Sequence, residues 1–148
     1  MSQQLATASA TMQLSGIPGR AILTARGHHV VVDSPAPLGG PNEELNPLDL
    51  LLGALAGCAT FVCERVAQEQ HIALVAMIVT VAADFDPRGV CGEPVDPRVQ
   101  SVRVRMELHG PSADEARILV DGFRTRCPVY TTLARATSIN IETVIETQ

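Results

Sequence analysis

Four cysteines, Cys58, Cys63, Cys91 and Cys127, carry the chemistry this sequence could perform. No two form a C-x-x-C pair, so zinc-ribbon spacing is absent. The reactive form of a cysteine is the thiolate, favoured beside Arg or at a helix N-terminus. Cys127 sits in Arg124-Thr125-Arg126-Cys127-Pro128, where Pro128 breaks one helical pattern and a short new one follows. Both influences are available there; the alternative is a capping turn with solvated arginines. Cys58 lies inside a long apolar helical pattern, as a small inert hydrophobe or as a reactive centre. Cys63 is five residues on, roughly 140° around that helix, so the two thiols cannot share one direction and Cys63 reads as core. Cys91 falls in the Gly/Pro/Asp-rich stretch 87–97, exposed and without a role.

Other chemistries are excluded by residue type. All eleven basic residues are Arg, which removes Schiff-base lysine catalysis and the phosphate-loop lysine. With 3% aromatics, no Trp and a net charge of −5, neither a base-stacking surface nor a basic nucleic-acid footprint is expected. A metal site would need Cys58, Cys127 and one of His28, His29, His71 or His109. His28 and His29 point to opposite faces of a strand, and the other two read as polar residues at element ends. Neither a metal nor a cofactor is expected. Met1-Ser2-Gln3-Gln4-Leu5-Ala6 has no basic region and no apolar core, so it does not read as a signal peptide. The uncharged apolar stretch Leu50 to Cys63 is shorter than the ~18 residues of a span. The expectation is a cytoplasmic protein, whose thiols are normally reduced.

The elements that would position these thiols follow from pattern. At 148 residues and 46% hydrophobic, the chain is long enough for one domain, 1–148, with a sizeable core. Residues 8–14 and 20–32 read as strands, with turn signals at 15–19 and at Arg26-Gly27. Asn46-Pro47 opens a helix with Asp49 in its first turn, running from Leu48 to about Gln70. Its first two-thirds are apolar nearly all round, which implies burial on most sides. Gly53 and Gly57 there imply that something approaches closely, since each Gly costs about 1 kcal/mol relative to Ala. Sharing between two subunits would satisfy both. Leu74 to Phe85 reads as a buried strand. From Val99 the alternation of Val102, Val104, Met106 and Leu108 predicts a half-buried antiparallel strand. Ser112 and Glu115 form a capping box opening a second helix, a short third helix runs to Ala136, and Ile139, Ile141 and Ile145 close the chain as a strand. This order is α+β.

The run Asn46-Pro47-Leu48-Asp49-Leu50-Leu51-Leu52-Gly53-Ala54-Leu55-Ala56-Gly57-Cys58, followed by Cys127-Pro128-Val129-Tyr130, resembles the OsmC/Ohr family of osmotically inducible and organic-hydroperoxide-resistance proteins. It is nearest the OsmC-like branch, and the resemblance covers nearly the whole chain. It implies an OsmC-like fold with antiparallel sheets wrapped around two long central helices in an intertwined homodimer. The implied activity is thiol-dependent reduction of organic hydroperoxides in oxidative-stress defence. By position, Cys58 resembles the peroxidatic cysteine and Cys127 the resolving one. Their disulfide would be reopened by an external dithiol, often a lipoylated protein in the family. Leu51, Leu55 and Phe61 would line an apolar substrate pocket. In the hydroperoxide-resistance branch a Glu follows this Pro and pairs with an Arg to activate the thiolate; here Leu48 stands in that place. Asp49, Glu43 or Glu44 are displaced substitutes, and Arg20, with Arg26 second, is the nearest candidate for the arginine. The alternative is a catalytically weak relative that binds an apolar ligand or serves another thiol–disulfide exchange.

Overall fold

Strand β1 (Thr11–Leu14), β2 (Arg20–Ala25) and β3 (His28–Asp33) form an antiparallel sheet in the order β1-β2-β3. The computed structural model describes residues 4–136 and 138–146. Met1, Ser2 and Gln3, part of the stretch read for a leader, lie outside them. The apolar run 20–32 divides at Arg26-Gly27, where φ is +51° and +80°. Two positive φ values make the primed turn whose twist suits a tight hairpin. After β3 the chain loops through residues 34–46 and returns to the sheet edge, with Asp33 N–H donating to Leu45 O and Ser34 N–H to Gly19 O. Gly19 and Gly40 allow that return: a Cβ on Gly19 would stand 2.4 Å from Gly40 Cα.

Helix α1 (Pro47–Gln70) starts on Asn46. The Asn46 side chain accepts from the N–H groups of Leu48 and Asp49, and the Asp49 carboxylate accepts from Asn46 N–H. This reciprocal cap satisfies three donors that a helix start leaves open. The chain divides into two compact units, residues 1–50 and 51–148, at the first turn of α1.

The second unit holds β4 (Ala76–Asp84), β5 (Ser101–His109), α2 (Ala113–Arg126), α3 (Pro128–Ala136) and β6 (Ile139–Glu146). Its sheet runs β4-β5-β6, with β4 antiparallel and β6 parallel to β5. The sheet is therefore mixed rather than antiparallel throughout. The parallel pair needs a crossover, and α2 with α3 supplies it. Val102, Val104, Met106 and Leu108 are the buried face of β5, as their alternation predicts. Against them lie Leu55, Ala59, Cys63, Val66 and Ala67 of α1 and Ala116, Leu119 and Phe123 of α2. The Ser112 capping box at the start of α2 forms as predicted.

Helix α1 departs from expectation in one respect. Within the chain only one stripe of it is buried; Phe61 is 70% exposed and Leu51 is also open. A Cβ at Gly53 or Gly57 would meet nothing within 4 Å, so no close approach among the described residues explains them. Inside the chain a helical glycine is held close on α2, where a Cβ on Gly122 would fall 2.6 Å from Val66 Cγ2. By length and composition α1 could cross a membrane once Glu64 and Arg65 are tolerated within the window. Its inner stripe, however, packs on its own unit as a core helix does.

Candidate thiol site

Cys58 and Cys127 are joined by a disulfide across 69 residues of sequence, with Cα atoms 6.1 Å apart. That separation lies within the range a bridge requires without backbone movement. Cys58 is held by α1, one residue before the fully buried Ala59, and is itself half-buried. Cys127 occupies the single residue between two helices. Its N–H donates to Phe123 O, ending α2, and its carbonyl accepts from Thr131 N–H, beginning α3. Pro128 fits there because the first helical position needs no N–H donor. The Cys127 sulfur accepts from Tyr130 N–H at 3.2 Å, where an N-cap oxygen usually sits. The rings of Phe123 and Tyr130, 4.9 Å apart, pack together across the same junction. Cys127 is wholly inaccessible.

The arginines flanking Cys127 have partners of their own. Arg126 pairs with Glu69 and Arg124 lies 3.8 Å from Asp121. Arg126 and Arg65 together hold the Glu69 carboxyl below its usual range. Of the two influences expected at Arg-Cys-Pro, the helix start therefore touches the sulfur. Cys63 is core, as predicted: its thiol donates to Leu119 O at 3.5 Å, and burial pushes it up to about 11. Cys91 is free and exposed.

The proposed activators Arg20 and Asp49 belong to the first unit. Asp49 is engaged in the α1 cap. The Arg20 guanidinium forks onto Asp33, with Nε and Nη2 at 2.7 and 2.8 Å, and Nη2 also reaches Glu43. The Asp33 carboxylate takes two more donors, the N–H groups of Glu43 and Glu44. Arg20 holds it far below the usual carboxylate range, the backbone donors assisting against the desolvation that opposes them. Asp33 carries no local signal of its role, though counting back from Arg26-Gly27 pairs 25 with 28 and so 20 with 33, as the register has it. Arg26 lies in the turn.

The predicted wall of Leu51, Leu55 and Phe61 does not form within the chain. Leu55 faces the core, whereas Phe61 lines an open groove of about 400 Å³ with Thr60, Glu64, Leu74 and Met77. Six helical residues turn a side chain roughly 120° away. His29 bonds Thr24 through Nδ1, and His71 sits at φ +55° just after α1. Among the described residues no group of three or more His, Cys, Asp or Glu could hold a metal ion.

A family described as OsmC-like protein matches residues 40–142, well over half of the chain. None of the curated proteins matches the sequence. Among solved structures, an OsmC-like protein from Mycoplasma pneumoniae is similar at TM-score 0.80 and 19% identity, covering 95% of this chain and 97% of its own. An organic hydroperoxide resistance protein from Legionella pneumophila superposes at TM-score 0.72 with 22% identity, over 96% and 99% of the two chains. The organic hydroperoxide resistance protein OhrB of Bacillus subtilis does so at 0.66 and 20%, over 95% and 99%. At these identities the likeness is one of fold.

Proposed function

This chain belongs to the OsmC family, and from that premise we propose that it is a thiol peroxidase reducing organic hydroperoxides in oxidative-stress defence. The observation that carries the reading is the bridge joining Cys58 to Cys127. The Cys58 thiolate attacks the peroxide oxygen; the O–O bond breaks, the alkoxide takes a proton and leaves as the alcohol, and Cys58 becomes a sulfenic acid. Cys127 displaces hydroxide, released as water, to form the disulfide before further oxidation. An external dithiol, small or lipoyl-borne, then reduces the bridge. The hydroperoxide resistance proteins from Legionella pneumophila and Bacillus subtilis among the structural relatives support this choice of substrate.

A second reading is favoured by one observation: Leu48 stands where the hydroperoxide-resistance branch has its Glu, while Arg20 is already engaged by Asp33 and Glu43. On that reading the chain binds an apolar ligand or serves another thiol–disulfide exchange, with little peroxide turnover.

We also propose a homodimer in a reducing, cytoplasmic setting, where a cysteine pair can cycle. Apolar side chains left open in the chain support the assembly: Phe61 of α1, and Met12, Leu14 and Val30 sharing one face of the first sheet. Surfaces of this kind mark interfaces.

One experiment separates the readings. Reduced protein is mixed with cumene hydroperoxide, tert-butyl hydroperoxide or hydrogen peroxide, and peroxide and free thiols are followed. The peroxidase consumes the organic peroxides faster and loses two thiols per chain, and Cys58→Ser abolishes both. Cys58 remaining reduced in excess organic peroxide overturns it in favour of the second reading. The same sample sediments at twice the chain mass; a monomer mass overturns the assembly.

A further inference from the structure

We infer that the reductant opens the bridge at Cys58, and that Cys127 is the departing sulfur, received by the main-chain N–H of Tyr130. The inference rests on the thiol-cycling reading above, in which a dithiol must reopen the disulfide.

The two sulfurs of the bridge are not equivalent. Thiol exchange is an in-line displacement: the attacking thiolate reaches one sulfur and the other leaves on the far side. Cys127 is wholly inaccessible, whereas Cys58 keeps part of its surface. A partner subunit can only add cover to Cys127, so assembly does not reverse the order. Attack is thereby directed to Cys58 Sγ.

The leaving side is prepared for charge. Cys127 precedes the nine residues of α3, and its Sγ already accepts the Tyr130 N–H. Donors at a helix start favour an anion, and a thiol that forms its thiolate readily leaves faster. Cys63 provides the contrast. It is buried too, yet its thiol donates to Leu119 O, an arrangement that keeps its proton. Equal burial with hydrogen bonds of opposite direction makes Cys63 a bystander and Cys127 a leaving group.

The step balances. A reductant thiolate bonds to Cys58 Sγ, the Cys58–Cys127 bond breaks, and the electron pair goes to Cys127 Sγ. The second thiolate of the dithiol attacks the reductant's own sulfur in the mixed disulfide, closing the reductant's ring and releasing Cys58 as thiolate. Two electrons pass to the protein, and the protons lost by the dithiol are available to the two cysteines.

The test needs no peroxide. Wild-type protein, its bridge closed with diamide, is exposed briefly to 2-mercaptoethanol, quenched in acid, alkylated and mapped by peptide mass spectrometry. The expected product carries mercaptoethanol on Cys58 and the alkyl group on Cys127. Adduct on Cys127, or equal division, overturns the inference. On a Cys58→Ser, Cys91→Ser background, ultraviolet thiolate absorbance from Cys127 rises at lower pH than that from Cys63; the reverse order overturns the leaving-group assignment. Absence of peroxide turnover would sink the peroxidase and leave the adduct assignment standing, while adduct on Cys127 would do the opposite.

Discussion

Asp33 has no catalytic role in the proposed cycle, yet its side chain is tightly committed: one buried carboxylate accepts two guanidinium donors and two backbone N–H groups. Those bonds tie the hairpin to residues 43 and 44, just before the α1 cap. The direction of the pH effect follows from the carboxyl being held far below its usual range. Such a group contributes stability above the ordinary carboxylate value of about 4 and surrenders it as pH falls below that. Denaturant unfolding should accordingly show an acid limb from about pH 4 downward, with Asp33→Asn less stable at neutral pH and flatter across that limb. An Asp33→Asn profile parallel to wild type would mean that the pair contributes nothing. Arg20 was legible as a residue to watch, but its partner was not. Asp33 lies thirteen positions away, and only the strand register, which a two-residue turn sets, brings them opposite.

At the scale of elements, local signals translated well and pairing signals did not. Asn46, Pro47 and Asp49 mark the start of α1, and Ser112 with Glu115 the start of α2, because caps are built from neighbours in sequence. The alternation of β5 named its buried face correctly for the same reason. That β6 lies parallel to β5 is not written in either strand; it follows from the crossover through α2 and α3. The two glycines of α1 point to a close approach that is not made among the described residues and is left to the proposed partner subunit, while inside the chain Gly122 is the helical glycine held close to a neighbour. Glycine frequency in a helix signals contact, but the contacting surface is decided by packing. Gly122→Ala should push a methyl into Val66 and destabilise the protein by about 1–3 kcal/mol, whereas Gly53→Ala in the single chain has room. Urea midpoints of the two variants check this, and a neutral Gly122→Ala would mean that α1 and α2 can slide apart without penalty. The cysteine pair was legible through its resemblance to a family, since a separation of 69 residues leaves no local trace.

For the molecule as a whole, the bridge does more than record an oxidation. It closes a loop of 69 residues that contains most of the second unit, and closing such a loop removes about 4 kcal/mol of chain entropy from the unfolded state. A difference of that size moves a melting temperature by roughly ten degrees. Calorimetry of oxidised and reduced samples should show it, with Cys127→Ser indifferent to oxidant; equal melting points would mean that native strain cancels the effect. Redox state and resistance to heat or proteolysis are then one variable. On the proposed cycle, a chain struck by oxidant becomes harder to unfold at that moment, and the reduced form awaiting the next oxidant is the one most exposed to degradation.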